Sequence, residues 1–134
     1  MQDLSTRYIF LLFNPLAEIS TNYLDFQNRL MKTISKPVAV SESIASSAVS
    51  CARQVDAALV VCFTELGGTA RLVAKYRPQT PILAATLFAQ TARQLNLCFG
   101  IVPYHHTGND EDLVDETLKR AVRLGLAKPG DTAI

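Results

Sequence analysis

The segment Thr64-Glu65-Leu66-Gly67-Gly68-Thr69 has the clearest chemical potential in the chain. Two adjacent glycines let the backbone come close to a ligand, and the hydroxyls of Thr64 and Thr69 can donate hydrogen bonds. A helix beginning just after them would aim free N–H groups and its positive dipole end at the same spot. That is the chemistry of a phosphate cradle. The segment has neither the Gly-Lys-Ser/Thr of a Walker loop nor a GxGxxG, and Glu65 puts a carboxylate where it would repel an anion. A turn that only joins a strand to a helix is the alternative reading of the same residues.

The pair His105-His106 is the second candidate. Adjacent side chains of an extended segment point to opposite sides, so a shared metal is not expected and a surface-loop position is. Arg71, Lys75 and Arg77 bring positive charge after the glycine loop, but Lys75 and Arg77 fall at the far end of the helix expected there, where they meet its negative pole. Ser46 and Ser47 sit mid-helix with no base nearby in sequence, which argues against a nucleophile. Cys51, Cys62 and Cys98 are an odd number without CxxC spacing, each in an apolar stretch, and read as small buried hydrophobes of a reducing compartment. No metal cluster, carboxylate pair or nucleophile elbow emerges from the spacing.

These residues need a scaffold, and the hydrophobic pattern supplies one. The run Ala57 to Phe63 is uninterrupted and rich in Val and Leu, as a strand buried on both faces should be. The glycine loop follows, then a short helix from Ala70 to Tyr76 closed by Arg77-Pro78. Pro81 introduces a second buried strand, Ile82 to Leu87; Gln90 to Leu97 reads as a helix, and Gly100 introduces a third strand, Ile101 to Tyr104. Upstream, Pro15 behind Asn14 opens a helix striped by Leu16, Ile19, Tyr23, Phe26 and Leu30. Ser41 with Glu42 opens another, whose Ile44, Ala48, Cys51, Ala52 and Val55 form the strongest helical periodicity in the chain. Downstream, Gly108-Asn109-Asp110 caps a last helix with Val114, Leu118, Ala121 and Val122 as its inner stripe. Gly125 and Pro129 end it, and Thr132-Ala133-Ile134 reads as the start of one more strand. The expected fold is α/β, a three-layer α/β/α sandwich with a mostly parallel sheet that stops before its last strands.

Composition sets the outer bounds. A chain of 134 residues fits one domain, and 49% hydrophobic with 19% charged residues can build its core, an aliphatic one because there is no Trp. Thirteen Lys and Arg against twelve Asp and Glu leave a charge of +1, too near neutrality to expect nucleic acid or an acidic membrane as partner. The apolar run Tyr8 to Phe13 is far short of the roughly 20 residues of a membrane span. A cytoplasmic protein is expected.

Four stretches, in order and in register, carry a family resemblance. They are Ala17-Glu18 with Tyr23-Leu24; Glu42-Ser43-Ile44-Ala45-Ser46-Ser47-Ala48-Val49; Ala70-Arg71-Leu72-Val73-Ala74-Lys75-Tyr76-Arg77-Pro78 with Pro81-Ile82; and Gln90-Thr91-Ala92-Arg93-Gln94-Leu95 with Gly100-Ile101 and Pro103. Together they resemble the C-terminal domain of pyruvate kinase over residues 16–134, leaving residues 1–15 as a divergent N-terminal segment.

The resemblance implies a regulatory and subunit-interface domain of an enzyme that transfers phosphate from phosphoenolpyruvate to ADP in glycolysis. The parent's catalytic barrel, with its Mg²⁺ and K⁺, is not in this chain, so no cofactor and no catalytic residue are expected here. Thr64, Glu65, Leu66, Gly67, Gly68 and Thr69 correspond to the family's effector phosphate loop. Thr64, Gly67 and Thr69 fit it, whereas Glu65 and Leu66 depart from it, and forms with Glu at this position resemble those that do not respond to fructose bisphosphate. Self-association is the implied partner chemistry, in a homotetrameric parent, through Tyr23, Leu30, Ile44 and Ser47, with a sugar phosphate or phosphate ion as the small-molecule partner. The alternatives are a free-standing α/β binder of a phosphorylated metabolite and, further off, an enzyme centred on His105 and His106.

Overall fold

The computed structural model describes residues 23–134. The helix expected from Leu16 therefore starts outside the described residues; its continuation is α1, Tyr23–Thr33, followed by α2, Val40–Gln54. Strand β1 (Val60–Phe63), helix α3 (Gly68–Lys75), strand β2 (Ile82–Thr86), helix α4 (Ala89–Leu95) and strand β3 (Ile101–His105) then alternate. A 3₁₀ turn, Asp110–Asp112, leads into α5, Leu113–Arg123.

The three strands are parallel in the order β1-β2-β3, with Val60 opposite Ile82 and Ile82 opposite Ile101. Ala133 bridges to Leu59 in parallel on the other side of β1. There Ala58 N–H donates to Thr132 O at 2.9 Å, Ile134 N–H to Leu59 O at 3.0 Å and Val61 N–H to Ile134 O at 2.7 Å. The tail thus opens a fourth parallel run, as its sequence suggested.

Alternation along the strands divides the core into two layers. Val60, Cys62, Ile82, Ala84 and Ile101 face a cluster completed by Ala45, Val49 and Ala52 of α2, Ala70, Val73 and Ala74 of α3 and Leu95 of α4. Leu59, Leu83 and Val102 face the other way, onto Ala121 of α5. All five residues of β2 are buried, so that strand shows no polar alternation in sequence. Pro103 sits in β3, whose one pairing among the described residues is with β2, and a residue without an N–H is tolerated at such a position.

Two helix faces are rotated from expectation. On α2 the buried residues are Ala45, Val49 and Ala52, while Ile44 is 62% exposed and Cys51 and Val55 also face outward. Those buried residues pack into one cluster with Ala70, Val73 and Ala74 of α3 and Val60 and Cys62 of β1, and the other apolar side chains are left outside. On α5 the inner positions are Thr117 and Ala121, with Val114, Leu118 and Val122 about half exposed. Thr117 can be buried because its hydroxyl donates to Leu113 O at 2.6 Å, satisfying the polar group within its own helix. The cysteines also divide: Cys62 alone is buried, Cys98 is half-buried and Cys51 is exposed, all as free thiols.

Candidate functional site: a glycine loop at the switch of strand order

The connectivity marks one end of the sheet. From β1 the chain steps to β2 and β3 with α3 and α4 on one face, then returns by α5 on the opposite face to lay Thr132–Ile134 against the far side of β1. Strand order therefore reverses beside β1, and in open α/β sheets ligands bind at the carboxyl ends of strands at such a reversal. The segment Thr64 to Gly67 leaves β1 there.

Internal bonds build the loop. Thr64 N–H continues the ladder to Ala85 O at 3.0 Å, and its hydroxyl turns inward to accept Gly67 N–H at 3.0 Å. Glu65 O accepts the Thr86 hydroxyl at 3.1 Å, and that hydroxyl accepts Phe88 N–H at 3.2 Å. Leu66 O accepts Arg71 Nη1 at 3.3 Å while Arg71 Nη2 donates to Gln94 Oε1 at 3.3 Å. The cation nearest the loop is thus engaged with the loop's own backbone.

The two glycines do different work. Gly67 is buried with φ +84°, and a Cβ on it would come 3.1 Å from Leu95 Cδ2, so left-handed backbone and close packing both require glycine. Gly68 is exposed, and a Cβ there would meet nothing within 4 Å. The first intrahelical bond of α3 is Arg71 N–H to Gly67 O, so the amides of Gly68, Thr69 and Ala70 are the free donors of the first turn. They open beside the exposed Glu65, Leu66 and Thr69. The arrangement offers an anion two or three N–H donors and a hydroxyl, with one carboxylate against it.

Thr86, Arg71 and Gln94, which brace the loop, were not singled out as loop residues from sequence. The usable signal was Thr86, a hydroxyl ending an otherwise apolar strand.

The histidines separate. His105 is exposed with Nε2 3.2 Å from Leu87 O, whereas His106 is 3% exposed. Its ring lies between Tyr104 Oη, 3.4 Å from Nδ1, and Asn109 O, 3.0 Å from Nε2. A surface-loop position therefore fails for His106: two polar partners compensate its burial. Among the described residues no group of three or more His, Cys, Asp or Glu could hold a metal. No helix among them is long and apolar enough to cross a membrane.

Of the four residues expected to mediate association, Ile44 and Ser47 lie exposed on the outward face of α2. Leu30 packs partly against the core, and the side chain of Tyr23 lies outside the described residues. Cys51, Val40 and Val55 extend the same exposed stretch of α2.

Comparison with known proteins gives a consistent picture. Residues 42–134 match the family described as pyruvate kinase, alpha/beta domain. A pyruvate kinase of Dictyostelium discoideum is 38% identical in an alignment that covers 89% of this chain and 24% of that protein. The cytosolic isozyme of pyruvate kinase from Nicotiana tabacum is 35% identical, covering 88% of this chain and 27% of its own length. A crystal structure of pyruvate kinase from Cryptosporidium parvum superposes with a TM-score of 0.82 at 38% identity, over 88% of this chain and 24% of the other. The chain thus spans about a quarter of these relatives.

Proposed function

Because the chain belongs to the pyruvate kinase family, as its C-terminal α/β domain, we propose that it serves as the regulatory and subunit-interface part of such an enzyme. Phosphoryl transfer from phosphoenolpyruvate to ADP, with Mg²⁺ and K⁺, is then the work of a barrel outside this chain, in the cytoplasm. The role of this chain is to pair with a second copy of itself, within a tetrameric parent.

One observation carries the assembly role. Helix α2 buries Ala45, Val49 and Ala52 and leaves other apolar side chains outside: Val40 is 76%, Ile44 62% and Val55 46% exposed. An isolated domain gains nothing from that orientation, whereas a domain that pairs through α2 buries those side chains on association. Sedimentation equilibrium of the chain over a range of concentrations tests it: reversible dimers support the reading, and a monomer at every concentration refutes it.

The second reading, binding of a phosphorylated metabolite, is favoured by the place of the glycine loop at the reversal of strand order. Thr64 and Gly67 shape the loop, and Gly68 and Thr69 offer the donors. Glu65 and Leu66 weaken the site, the first by charge and the second by lacking a hydroxyl. Weak binding of phosphate or a sugar phosphate is the expected result. Calorimetry with phosphate and with sugar phosphates tests it; heats that persist unchanged in Gly68→Trp would remove the ligand from this loop.

A further inference from the structure

Helix α5 carries apolar side chains on two sides. Thr117 and Ala121 are buried against the sheet, while Val114, Leu118 and Val122 stay about half exposed. These three recur at i, i+4 and i+8, so they form one row along the helix, the kind of ridge through which helices most often pack. The exposed charges beside the row are sorted by sign. Glu111, Asp112 and Asp115 lie toward the N-terminal end, and Lys119 and Arg123 toward the C-terminal end.

The helix dipole favours that order of charges, but it leaves the apolar row uncovered. Row and charges together define what fits over it. A parallel neighbour with the same surface would set acid against acid and base against base. An antiparallel one, related by a twofold axis at Leu118, sets Val114 of one copy against Val122 of the other. Asp115 and Lys119, four residues apart, fall on the same flank of the row, and the twofold axis brings Asp115 of each copy to Lys119 of the other. Lys119 is free to serve there, because its 3.0 Å ion pair with Glu116 is a solvent-exposed one that holds the side chain only weakly.

We propose that the outward row of α5 is a self-association surface: two copies of the chain pair antiparallel through Val114, Leu118 and Val122, with Asp115 of each facing Lys119 of the other. This surface is separate from α2, which packs on the opposite face of the sheet. Its apolar side chains are already half covered within the chain, more so than Val40 and Ile44 of α2, so the α5 contact is the weaker of the two.

Sedimentation equilibrium at low ionic strength, with the α2 surface blocked by Ile44→Glu, tests the proposal. That chain should still form a weak, reversible dimer at high concentration. Adding Asp115→Lys alone, or Lys119→Asp alone, places like charges across the contact and should weaken the dimer by about tenfold or more. Mixing those two variants in equal amounts restores opposite charges at both crossings and should return the affinity to within about threefold of the starting chain. Leu118→Glu, at the centre of the contact, should remove the dimer. All the substituted positions are exposed, so circular dichroism should stay unchanged. An Ile44→Glu chain that is monomeric at every concentration would overturn the proposal. So would a dimer indifferent to either charge reversal or to Leu118→Glu, or a mixture no tighter than its components. The mixing result stands whether or not copies also pair through α2, so the two surfaces can fail separately.

Discussion

Tyr76 Oη donates a 2.5 Å hydrogen bond to Glu42 Oε1, the same oxygen that accepts Lys75 Nζ at 2.7 Å. One carboxylate near the start of α2 thus takes donors from two consecutive residues where α3 ends. Tyr76 is only 2% exposed, whereas the Lys75 side chain is 40% exposed, so the tyrosine bond is the better shielded from water. The ion pair with Lys75 is the weaker contributor to stability on that ground. Removing the hydroxyl in Tyr76→Phe should cost about 1.5–3 kcal/mol, the range for a hydrogen bond to a charged acceptor, read from the urea midpoint.

The same contact sets a pH dependence. Hydrogen bonds from Lys75 and Tyr76 hold the Glu42 carboxyl below its ordinary 4.5, while burial, helped by Glu42, pushes the Tyr76 hydroxyl up to about 12. A lowered carboxyl pKa stabilises the fold above its unfolded value, and that gain is lost as pH falls through the folded value. A raised phenol pKa stabilises the fold below its ordinary 10.0 and loses the gain as pH rises toward about 12. The contribution of the pair should be flat between about pH 5 and 9 and fall on both sides. Thermal melts of wild type against Glu42→Gln check this: the gap between the two should narrow below pH 4.5.

The glycine pair gives a prediction of opposite signs at neighbouring positions. Gly67→Ala forces a side chain into left-handed backbone against Leu95 and should cost about 1–3 kcal/mol. Gly68→Ala places alanine in the open first turn of α3 and should be neutral or stabilising by about 0.4–1 kcal/mol. Urea unfolding of both variants reads the difference directly, and equal losses would mean the loop is not built as described.

Thiol labelling separates the cysteines by burial. Burial pushes the Cys62 thiol up to about 11, so it should resist labelling in the folded protein. Exposed Cys51 should react fast and half-buried Cys98 more slowly. Because Cys51 lies on the outward face of α2, its labelling rate should also fall as protein concentration rises and copies pair. Cys51→Ser should remove the fast phase.

Strand content and the glycine loop were legible because their signals are local. Ile82 to Ala85 is apolar at every position, and only a strand covered on both faces tolerates that. The run from Val60 and the turn at Gly67 follow the same logic of short range. Helix orientation was not legible. On α2 the stripe Ile44, Ala48, Cys51, Ala52 and Val55 looked like the inner one, yet of these only Ala52 is buried, together with Ala45 and Val49. Periodicity reports that a helix has an apolar face; a helix with two such faces needs its neighbours to say which lies inward. Thr117 and His106 escaped for another reason: each is polar and buried, with its hydrogen bonds supplied by Leu113 O in one case and by Tyr104 and Asn109 in the other. Of the loop, its place and its glycines could be read, whereas its bracing by Thr86, Arg71 and Gln94 comes from elements distant in the chain.

The most direct measurement is sedimentation equilibrium of the full chain beside Ile44→Glu and Ser47→Trp. Ile44 and Ser47 are exposed, so neither change should disturb the core, and circular dichroism and melting temperature should stay near wild type. If α2 is the pairing surface, the wild type dimerises reversibly and both variants weaken the dimer by about tenfold or more, one by burying a charge and the other by blocking close approach. A wild type that stays monomeric, or a dimer that both variants leave intact, would contradict the assembly role.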